Sequence, residues 1–217
     1  MAVTKSPTET RKSILEAACA LFGEYGFNAV STRMIADKAG VNLGGIHYHF
    51  GSKGKLYEEV LKAAHNPETP LSVERLREEM PDLLDTEAGK SHAIYRIVTD
   101  YFRRQPLKLE SWRRNIIFRE LLDPSEYYLK IREAYSKKAV ETILELYFAI
   151  VPDGNLPDAY AWANYPVSQV VFYSSAASLN QKILDEAMLD NLYRSVIKST
   201  IKTMILLLNL PVPPLLQ

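Results

Sequence analysis

Apolar residues recur at intervals of three and four along nearly the whole of this 217-residue chain. That spacing places them on one side of an α-helix, whereas a half-buried strand alternates every second residue. Glycines and prolines interrupt the pattern, and no convincing strand alternation occurs between them. The sequence therefore predicts an all-α fold, with short helices near the N-terminus followed by longer ones.

Charge and cysteine content exclude several classes of protein. The chain carries 26 Lys and Arg against 26 Asp and Glu, so its net charge does not indicate nucleic-acid binding. The single cysteine, Cys19, excludes an intrachain disulfide and a cysteine metal cluster, and on an apolar helix face it is expected to be an unreactive buried thiol. Residues 1–13 lack the apolar core of a signal peptide, and the uncharged stretch 159–181 is too polar for a membrane span. We expect a cytoplasmic protein without a membrane segment.

Four short helices are predicted within the first 62 residues, each bounded by residues that cap or end helices. Serine, threonine and asparagine accept a hydrogen bond from the first turn, and glycine adopts the left-handed conformation that ends a helix. The first helix contains Ile14 and Phe22 and ends near residues 23–26. The second helix is capped by Ser31 or Thr32 and ends at Gly40. Asn42 caps the third helix, and Ser52 caps the fourth.

The second and third of these helices have the spacing of a helix-turn-helix. Small Ala36 and Ala39 let the two helices approach, and Ile46 with Phe50 forms the inward face of the third helix. The third helix then fits the major groove of DNA, which is about 12 Å wide. The residues left for the DNA side or its edges are Leu43, Gly44, Gly45, His47, Tyr48 and His49.

Two further features of this segment indicate close approach to DNA. Gly44 and Gly45 each weaken a helix by roughly 1 kcal/mol relative to alanine, a cost that is explained if the helix backbone must approach a base edge or a phosphate. Lys53 stands at the start of the fourth helix, where free backbone N–H groups and a lysine together form an anion site.

The run over residues 31–53, STRMIADKAGVNLGGIHYHFGSK, resembles the DNA-binding signature of the TetR family, as does the preceding LFGEYGF at residues 21–27. The resemblance implies a DNA-binding homodimer. It departs from the family at Gly45, where threonine or alanine is commoner, and at His47, where an aromatic residue is commoner. The base preference is therefore not carried over. The resemblance implies that Thr32 caps a helix and touches phosphate, Arg33 approaches DNA, Asn42 to Gly45 and His47 face the groove, and Tyr48 and Lys53 grip phosphates.

Alternative interpretations exist for several of these residues. His47 and His49 point about 200° apart on a helix, so no metal site is predicted for them. Asn42 serves equally well as a cap alone or as a cap that also contacts DNA. Tyr48 is compatible with packing on the first helix.

Helical patterns continue through the rest of the chain after a joint at residues 66–70, which contain two prolines. They cover residues 71–84, 89–105, 109–122, 125–151, 158–184 and 188–209. We predict two domains. Residues 1–54 form a three-helix head, which is the helix-turn-helix DNA-binding domain. Residues 55–217 form a larger helical body for effector binding and dimerisation. The segment 119–125, RELLDPS, resembles the sensor domain of the CecR-like subgroup of the TetR family.

The helical body over residues 55–217 is predicted to bind an effector and to mediate dimerisation, and not to act as an enzyme. The Ser-x-x-Lys spacings at Ser195 and Ser199 lie on an amphipathic helix, and no phosphate-binding or nucleophile motif occurs, so we predict no catalytic residue, metal or cofactor. Aromatic residues are concentrated between Tyr95 and Tyr173, and Pro166 should kink or restart its helix and leave space. The predicted effector-binding residues are Trp112, Phe118, Arg119, Tyr128, Tyr147, Tyr165 and Phe172, with Arg119 either fixing an acidic group or pairing with a nearby glutamate.

Dimerisation is predicted through the last two helices. The uncharged stretch 159–181 is apolar or small on all sides, and the segment 189–208 has a broad apolar face that includes Ile197 and Ile201. The TetR resemblance likewise implies a four-helix interface between two copies.

These predictions combine into a ligand-responsive transcriptional repressor. It would bind a near-palindromic double-stranded operator as a homodimer and be released by a small apolar or aromatic effector. The alternatives are a small-molecule binding protein with a vestigial DNA-binding head, and a helical enzyme that uses the aromatic cavity.

Overall fold

The computed structural model describes residues 6–65, 70–105, 110–135 and 137–217, without the side chains of 133–135 and 137. Helices and two 3₁₀ turns, Leu83–Asp85 and Pro214–Leu216, are the regular elements of these residues, which contain no strand. The prediction of an all-α fold is confirmed. The helices are α1 Pro7–Ala29, α2 Thr32–Ala39, α3 Leu43–Phe50, α4 Lys53–Ala64, α5 Val73–Glu79, α6 Glu87–Arg104, α7 Ser111–Leu122, α8 Glu126–Tyr135, α9 Lys137–Ile150, α10 Leu156–Ala163, α11 Tyr165–Ser175, α12 Ala177–Ile183 and α13 Glu186–Leu207.

The chain divides into two compact units that are not continuous in sequence. The first comprises residues 1–67 and 109–135, and the second comprises residues 68–108 and 136–217. This division differs from the predicted domains of 1–54 and 55–217, because α4 packs on α1 and because α7 and α8 pack on α1 and α4. The predicted joint at residues 66–70 lies outside the described residues except for its last residue.

The core of the first unit forms where α1, α2, α3 and α4 meet. Ile14, Phe22, Ile35 and Ile46 are fully buried there, in the helical register that the sequence predicts. The ring of Phe22 meets Tyr57 edge-on at a centroid distance of 4.9 Å. Burial raises the pKa of the Cys19 thiol to about 12, as expected for an unreactive cysteine.

The glycines predicted near the end of the first helix have two different roles. Helix α1 continues to Ala29, but Gly26 inside it has φ 79° and ψ 170°, so the helix is kinked there. Gly23 is a point of close approach to α7, because a Cβ atom at this position would lie 2.7 Å from Cα of Trp112. Only glycine allows the two backbones to come so close.

The second unit is a separate helical core built from α6, α9, α10 and α13. Ile94, Ile143 and Met204 are fully buried in it. Buried Trp162 donates from its indole N–H to the carbonyl oxygen of Met204 at 2.9 Å, which joins α10 to α13. Asp100 on α6 accepts hydrogen bonds from the Leu71 amide at 3.0 Å and from Arg104 at 2.8 Å.

The predicted restart of the helix at Pro166 is confirmed. The single helical pattern over 158–184 is divided into α10, α11 and α12, and Pro166 lies in the first turn of α11. Its missing N–H is tolerated there, since the first turn has no intrahelical partner for it. Within the part of the chain that the structure describes, no helix combines the length and the apolarity needed to span a bilayer.

Candidate nucleic-acid interface

Helix α3 presents one buried face and one exposed face, as the sequence predicts. Ile46 is fully buried and Phe50 is 6% exposed, and both pack into the core of the first unit. On the opposite side, the Tyr48 side chain is 81% exposed and Leu43 is 46% exposed. The two inward side chains therefore hold the helix in place while its outer surface remains accessible.

The helices at this surface begin with side-chain caps. Asn42 Oδ1 accepts a hydrogen bond from the Gly45 amide at 2.8 Å, so Asn42 caps α3 and keeps its amide NH₂ for another acceptor. At the start of α2, Ser31 Oγ accepts from the Met34 amide at 3.2 Å. The cap of α2 is therefore Ser31, and the capping role expected for Thr32 is wrong, because Thr32 is already the first helical residue. Its predicted phosphate contact stays a prediction, as does the approach of exposed Arg33 to DNA.

Packing within the protein does not require the glycine pair of α3. A Cβ atom on Gly44 or Gly45 would meet Asn42 Oδ1 at 3.5 Å, an ordinary van der Waals distance, and neither residue has a positive φ. The fold therefore accepts alanine at both positions. The open space beside Gly44, which is exposed, is available to whatever approaches α3 from outside.

The exposed His47 is tied to the glycine that ends its own helix. Nδ1 of its ring lies 3.0 Å from the carbonyl oxygen of Gly51, and the Gly51 amide donates to the His47 carbonyl oxygen at 3.0 Å. Sequence reasoning missed Gly51, although a glycine directly after a helix is a recognised end signal. The neighbouring His49 is half-buried, and its ring meets that of Tyr48 edge-on at 4.9 Å.

Two cations border α3 through aromatic rings. Lys53 Nζ, in the first turn of α4, lies 4.3 Å from the ring centroid of Phe27, and partial burial lowers its pKa. The Arg11 guanidinium lies 4.8 Å from the ring centroid of Phe50 and pairs with Glu59 at 2.9 Å. A cation–π contact holds a cation in place without using its hydrogen-bond donors. The Lys53 contact therefore leaves the ammonium group able to bind an anion, whereas the Arg11 guanidinium already donates to Glu59. Sequence reasoning predicted Lys53 at this surface and did not single out Arg11.

Comparison with known proteins identifies this segment. Residues 14–60 match the family model described as bacterial regulatory proteins, tetR family. Residues 14–60 belong to the TetR family. This confirms the resemblance read from residues 21–27 and 31–53.

Curated relatives match a stretch of similar length. The chain is 50% identical over 56 residues to the HTH-type transcriptional dual regulator CecR of Shigella flexneri, covering 26% of this chain and 25% of that protein. It is 39% identical over 56 residues to the HTH-type transcriptional repressor KstR2 of Mycolicibacterium smegmatis, covering 26% of this chain and 27% of that protein. Each match thus spans about a quarter of the relative's length.

Solved structures extend the likeness in fold to most of the chain. HlyIIR, a hemolysin II transcriptional regulator, superposes with a TM-score of 0.52 at 21% identity, covering 89% of this chain and 98% of its own. NalD, the secondary repressor of the MexAB-OprM multidrug efflux pump in Pseudomonas aeruginosa, superposes with a TM-score of 0.52 at 21% identity, covering 91% of this chain and 94% of its own. At this identity the likeness concerns the fold alone.

Helix α7 is bonded to α1 and α4 by two arginines that donate to backbone carbonyl groups. Arg119 donates to the carbonyl oxygens of Phe22 at 2.9 Å and Glu24 at 3.2 Å, beside the kink of α1. Arg113 donates to the carbonyl oxygen of Ala64 at 3.1 Å, in the last turn of α4. The kink and the helix end expose these carbonyl groups, and the arginines provide the missing donors.

The seven residues predicted to bind an effector are divided between the two units. Arg119 makes backbone hydrogen bonds rather than the ion pair that the sequence suggested. Tyr128 is buried near His65, with ring centroids 5.9 Å apart, and Tyr147 is buried against Trp162 at 5.7 Å. Phe172 is 62% exposed. Trp112, Phe118, Arg119 and Tyr128 belong to the first unit, and Tyr147, Tyr165 and Phe172 belong to the second.

Two grooves open on the second unit. One, of about 1030 Å³, lies between α5 and α9 and has Leu144 and Phe148 on its wall with Glu74, Glu78, Glu141 and Glu145 around it. The other, of about 360 Å³, lies between α5 and α6 and is lined by Tyr95 and charged residues of both helices. None of the seven predicted effector residues lines either of these two grooves.

Proposed function

We propose that this protein is a transcriptional regulator, a repressor, that binds a near-palindromic operator as a homodimer and is released by a small apolar or aromatic effector. The observation that carries the proposal is the geometry of α3. Ile46 and Phe50 fix this helix in the core, whereas Leu43, Gly44, His47 and Tyr48 form an exposed outer face. An exposed face of this kind on the second helix of a helix-turn-helix is suited to the major groove.

The polar groups around α3 support the same proposal. The Lys53 ammonium stands at the start of α4, and Arg33 is exposed on α2. The first backbone N–H groups of a helix have no intrahelical partner and favour an anion. Phosphate contacts from such groups position a protein on DNA, and the side chains of α3 would then supply the base contacts. In this proposal the DNA-binding residues lie on α3 and at the neighbouring starts of α2 and α4.

Exposed apolar residues on the last helices support the homodimer. Leu179 and Ile183 are 59% and 67% exposed on α12, four residues apart and therefore on one side of it. On α13, Met188 and Leu206 are 55% and 52% exposed. Exposed apolar patches on soluble proteins often mark interfaces. A homodimer formed through such surfaces would present two copies of α3, the reading helix, to a symmetric operator.

Ile201 does not belong to this surface. It is 1% exposed and packs within the core of its own protomer, so its predicted place at the dimer interface is wrong. The helical period of α13 brings both Ile201 and the exposed residues into one apolar pattern, and sequence alone does not separate the inner face from the outer one.

The proposed effector binds within the helical part of the chain that follows the helix-turn-helix. The predicted effector-binding residues belong to two compact units, so the effector response of each set is tested separately. Trp112→Ala tests the residues of the first unit, and Phe172→Ala tests those of the second. An effector releases the protein from DNA only if it binds one conformation of the dimer better than the other, typically with a coupling of about 1–3 kcal/mol.

The decisive experiment is a selection of binding sites from random duplexes with the full chain. A symmetric consensus is expected, together with a large loss of affinity for it in Tyr48→Ala, whose side chain is too exposed to support the fold. Absence of any enriched sequence, in a protein that is folded and dimeric, would favour the alternative of a small-molecule binding protein with a vestigial head.

A further inference from the structure

The geometry of His47 and Gly51 points to a specificity rule for the reading helix. We propose that Gly51 fixes His47 in the tautomer that carries its proton on Nδ1, so that Nε2 is an acceptor that reads an amino group on a base. The inference rests on the proposed function, because it assigns chemistry to one residue of that interface.

The tautomer follows from the partner of Nδ1. A backbone carbonyl oxygen can only accept a hydrogen bond, and Nδ1 of His47 lies 3.0 Å from the carbonyl oxygen of Gly51. Nδ1 must therefore be the donor, and in a neutral imidazole the other nitrogen then has a lone pair and no proton. The side chain is exposed, so Nε2 is accessible on the outer face of α3.

Backbone conformation places the Gly51 carbonyl where His47 needs it. Gly51 has φ 76° and ψ −53°, and the Ser52 amide donates to the Phe50 carbonyl oxygen at 2.9 Å across it, which defines a γ-turn. Residues other than glycine rarely adopt this conformation. The Gly51 amide also donates to the His47 carbonyl oxygen at 3.0 Å, so the two residues are joined by two hydrogen bonds of opposite direction.

The fixed tautomer limits what the neutral ring can recognise. In the major groove, adenine N6 and cytosine N4 carry amino donors, whereas guanine O6 and N7 and thymine O4 are acceptors. Phosphate oxygens are acceptors as well. The neutral ring can therefore bond directly to adenine or cytosine but not to guanine, thymine or phosphate. Of the two nitrogens of His47, Nε2 is the one left to carry sequence information.

The tautomer is tested first in the protein without DNA. The nitrogen chemical shifts of ¹⁵N-labelled histidine distinguish a protonated ring nitrogen from an unprotonated one, and the spectrum of His47→Gln identifies the His47 signal among the four histidines. At a pH where the ring is neutral, protonated Nδ1 and unprotonated Nε2 are expected. The opposite tautomer, or an even mixture, overturns the inference whether or not the protein binds DNA.

The readout is then tested on the selected operator with base analogues. Deoxynebularine replaces each adenine and removes its N6 amino group, and the pyrimidin-2-one nucleoside replaces each cytosine and removes its N4 amino group. At one symmetric pair of positions, the substitution should lower the affinity of the wild type for the operator by about 3- to 10-fold, which corresponds to one hydrogen bond. His47→Phe, which keeps a ring of similar shape, should show no loss there beyond that of the duplex itself.

Gly51→Ala provides the matched variant for the origin of the effect. A Cβ atom at this position would meet Lys55 Cδ at 3.7 Å, so space is sufficient and only the positive φ is disfavoured. If the variant folds, it should show a mixed tautomer at His47 and a weaker response to the amino-group deletion. Retention of the wild-type tautomer and response overturns the role of Gly51. Equal responses of wild type and His47→Phe overturn base readout by Nε2, and failure of every duplex to bind overturns the proposed function as well.

Discussion

The Tyr57 hydroxyl donates a 2.6 Å hydrogen bond to the carboxylate of Glu120, and both side chains are buried. Tyr57 lies on α4, the helix that follows α3, and Glu120 lies on α7. The carboxylate also accepts from the Ser125 amide at 2.7 Å and from the Ser125 hydroxyl at 2.9 Å. Burial, and then the bond to Glu120, raises the pKa of Tyr57, so the hydroxyl remains a donor. A buried charge is tolerated in a protein only with partners of this kind.

Tyr57→Phe should therefore destabilise the protein by about 1–3 kcal/mol, because the Glu120 carboxylate loses a donor and stays buried. The measurement is urea unfolding followed by circular dichroism. Tyr48→Phe is the matched control, since its hydroxyl is on an 81% exposed side chain and its loss should change stability by less than about 0.5 kcal/mol. Equal effects of the two substitutions would show that the Tyr57–Glu120 bond contributes nothing.

Gly44→Ala should stabilise the protein and weaken DNA binding at the same time. Alanine favours a helix over glycine by about 1 kcal/mol, and the added Cβ meets only Asn42 Oδ1, at 3.5 Å. On the exposed face, however, the new methyl group occupies the space that DNA would need. Thermal unfolding and fluorescence anisotropy with the selected operator measure the two effects.

Gly45→Ala is the control for this prediction. Gly45 is half-buried, and TetR sequences commonly have alanine or threonine there. Gly45→Ala should bring the same gain in stability with a smaller loss of affinity, because its Cβ atom would be partly covered by the protein itself. A Gly44→Ala protein that binds the operator as well as wild type would mean that DNA does not approach the α3 backbone at this point.

Local signals and long-range packing differ in what sequence can predict. The caps Ser31, Asn42 and Ser52 and the inward pair on α3 follow from neighbouring residues, so the reading helix was predictable almost to the residue. The return of α7 onto α1 depends on the contact between Gly23 and Trp112, which are far apart in sequence and share no local pattern. Aromatic content alone grouped Trp112 with Phe172, although the two lie in different compact units.

Lys53→Gln should weaken binding to all duplexes about equally and lower the salt dependence of log K by about one unit. The reason is the loss of a phosphate contact, which carries no base information. Binding is measured over a series of salt concentrations for the selected operator and for a scrambled duplex. Lys130→Gln, on the exposed surface of α8, should leave the slope unchanged. A change in preferred sequence with an unchanged slope would assign base readout to Lys53 instead.

Charges on the exposed apolar surface should separate the dimer. Ile183→Glu combined with Leu179→Glu places two carboxylates on side chains that are 67% and 59% exposed in the protomer, so folding should be retained while a two-chain interface is not. Light scattering at micromolar concentration is expected to give a dimer for the wild type and a monomer for the variant. Leu156→Glu, at a 55% exposed residue of α10, should remain dimeric. A wild-type monomer would remove the homodimer from the proposal.

The last prediction concerns the pH dependence of stability and the buried His65. Burial lowers the pKa of this imidazole, and its Nδ1 lies 2.7 Å from the Leu61 carbonyl oxygen in the last turn of α4. Because the folded protein disfavours the charged ring, the unfolded chain binds the proton more tightly. The neutral His65 therefore contributes its full stabilisation above about pH 6.5, the pKa of a histidine in the unfolded chain. This stabilisation is lost as the pH falls from there through the lower pKa of His65 in the folded protein. Urea unfolding at about one unit above and one unit below that value should show a loss of stability in the wild type and a smaller loss in His65→Gln, which does not titrate. Since the other titrating groups are common to both proteins, the difference between the two losses isolates His65, and equal losses would show that its proton uptake is not linked to folding.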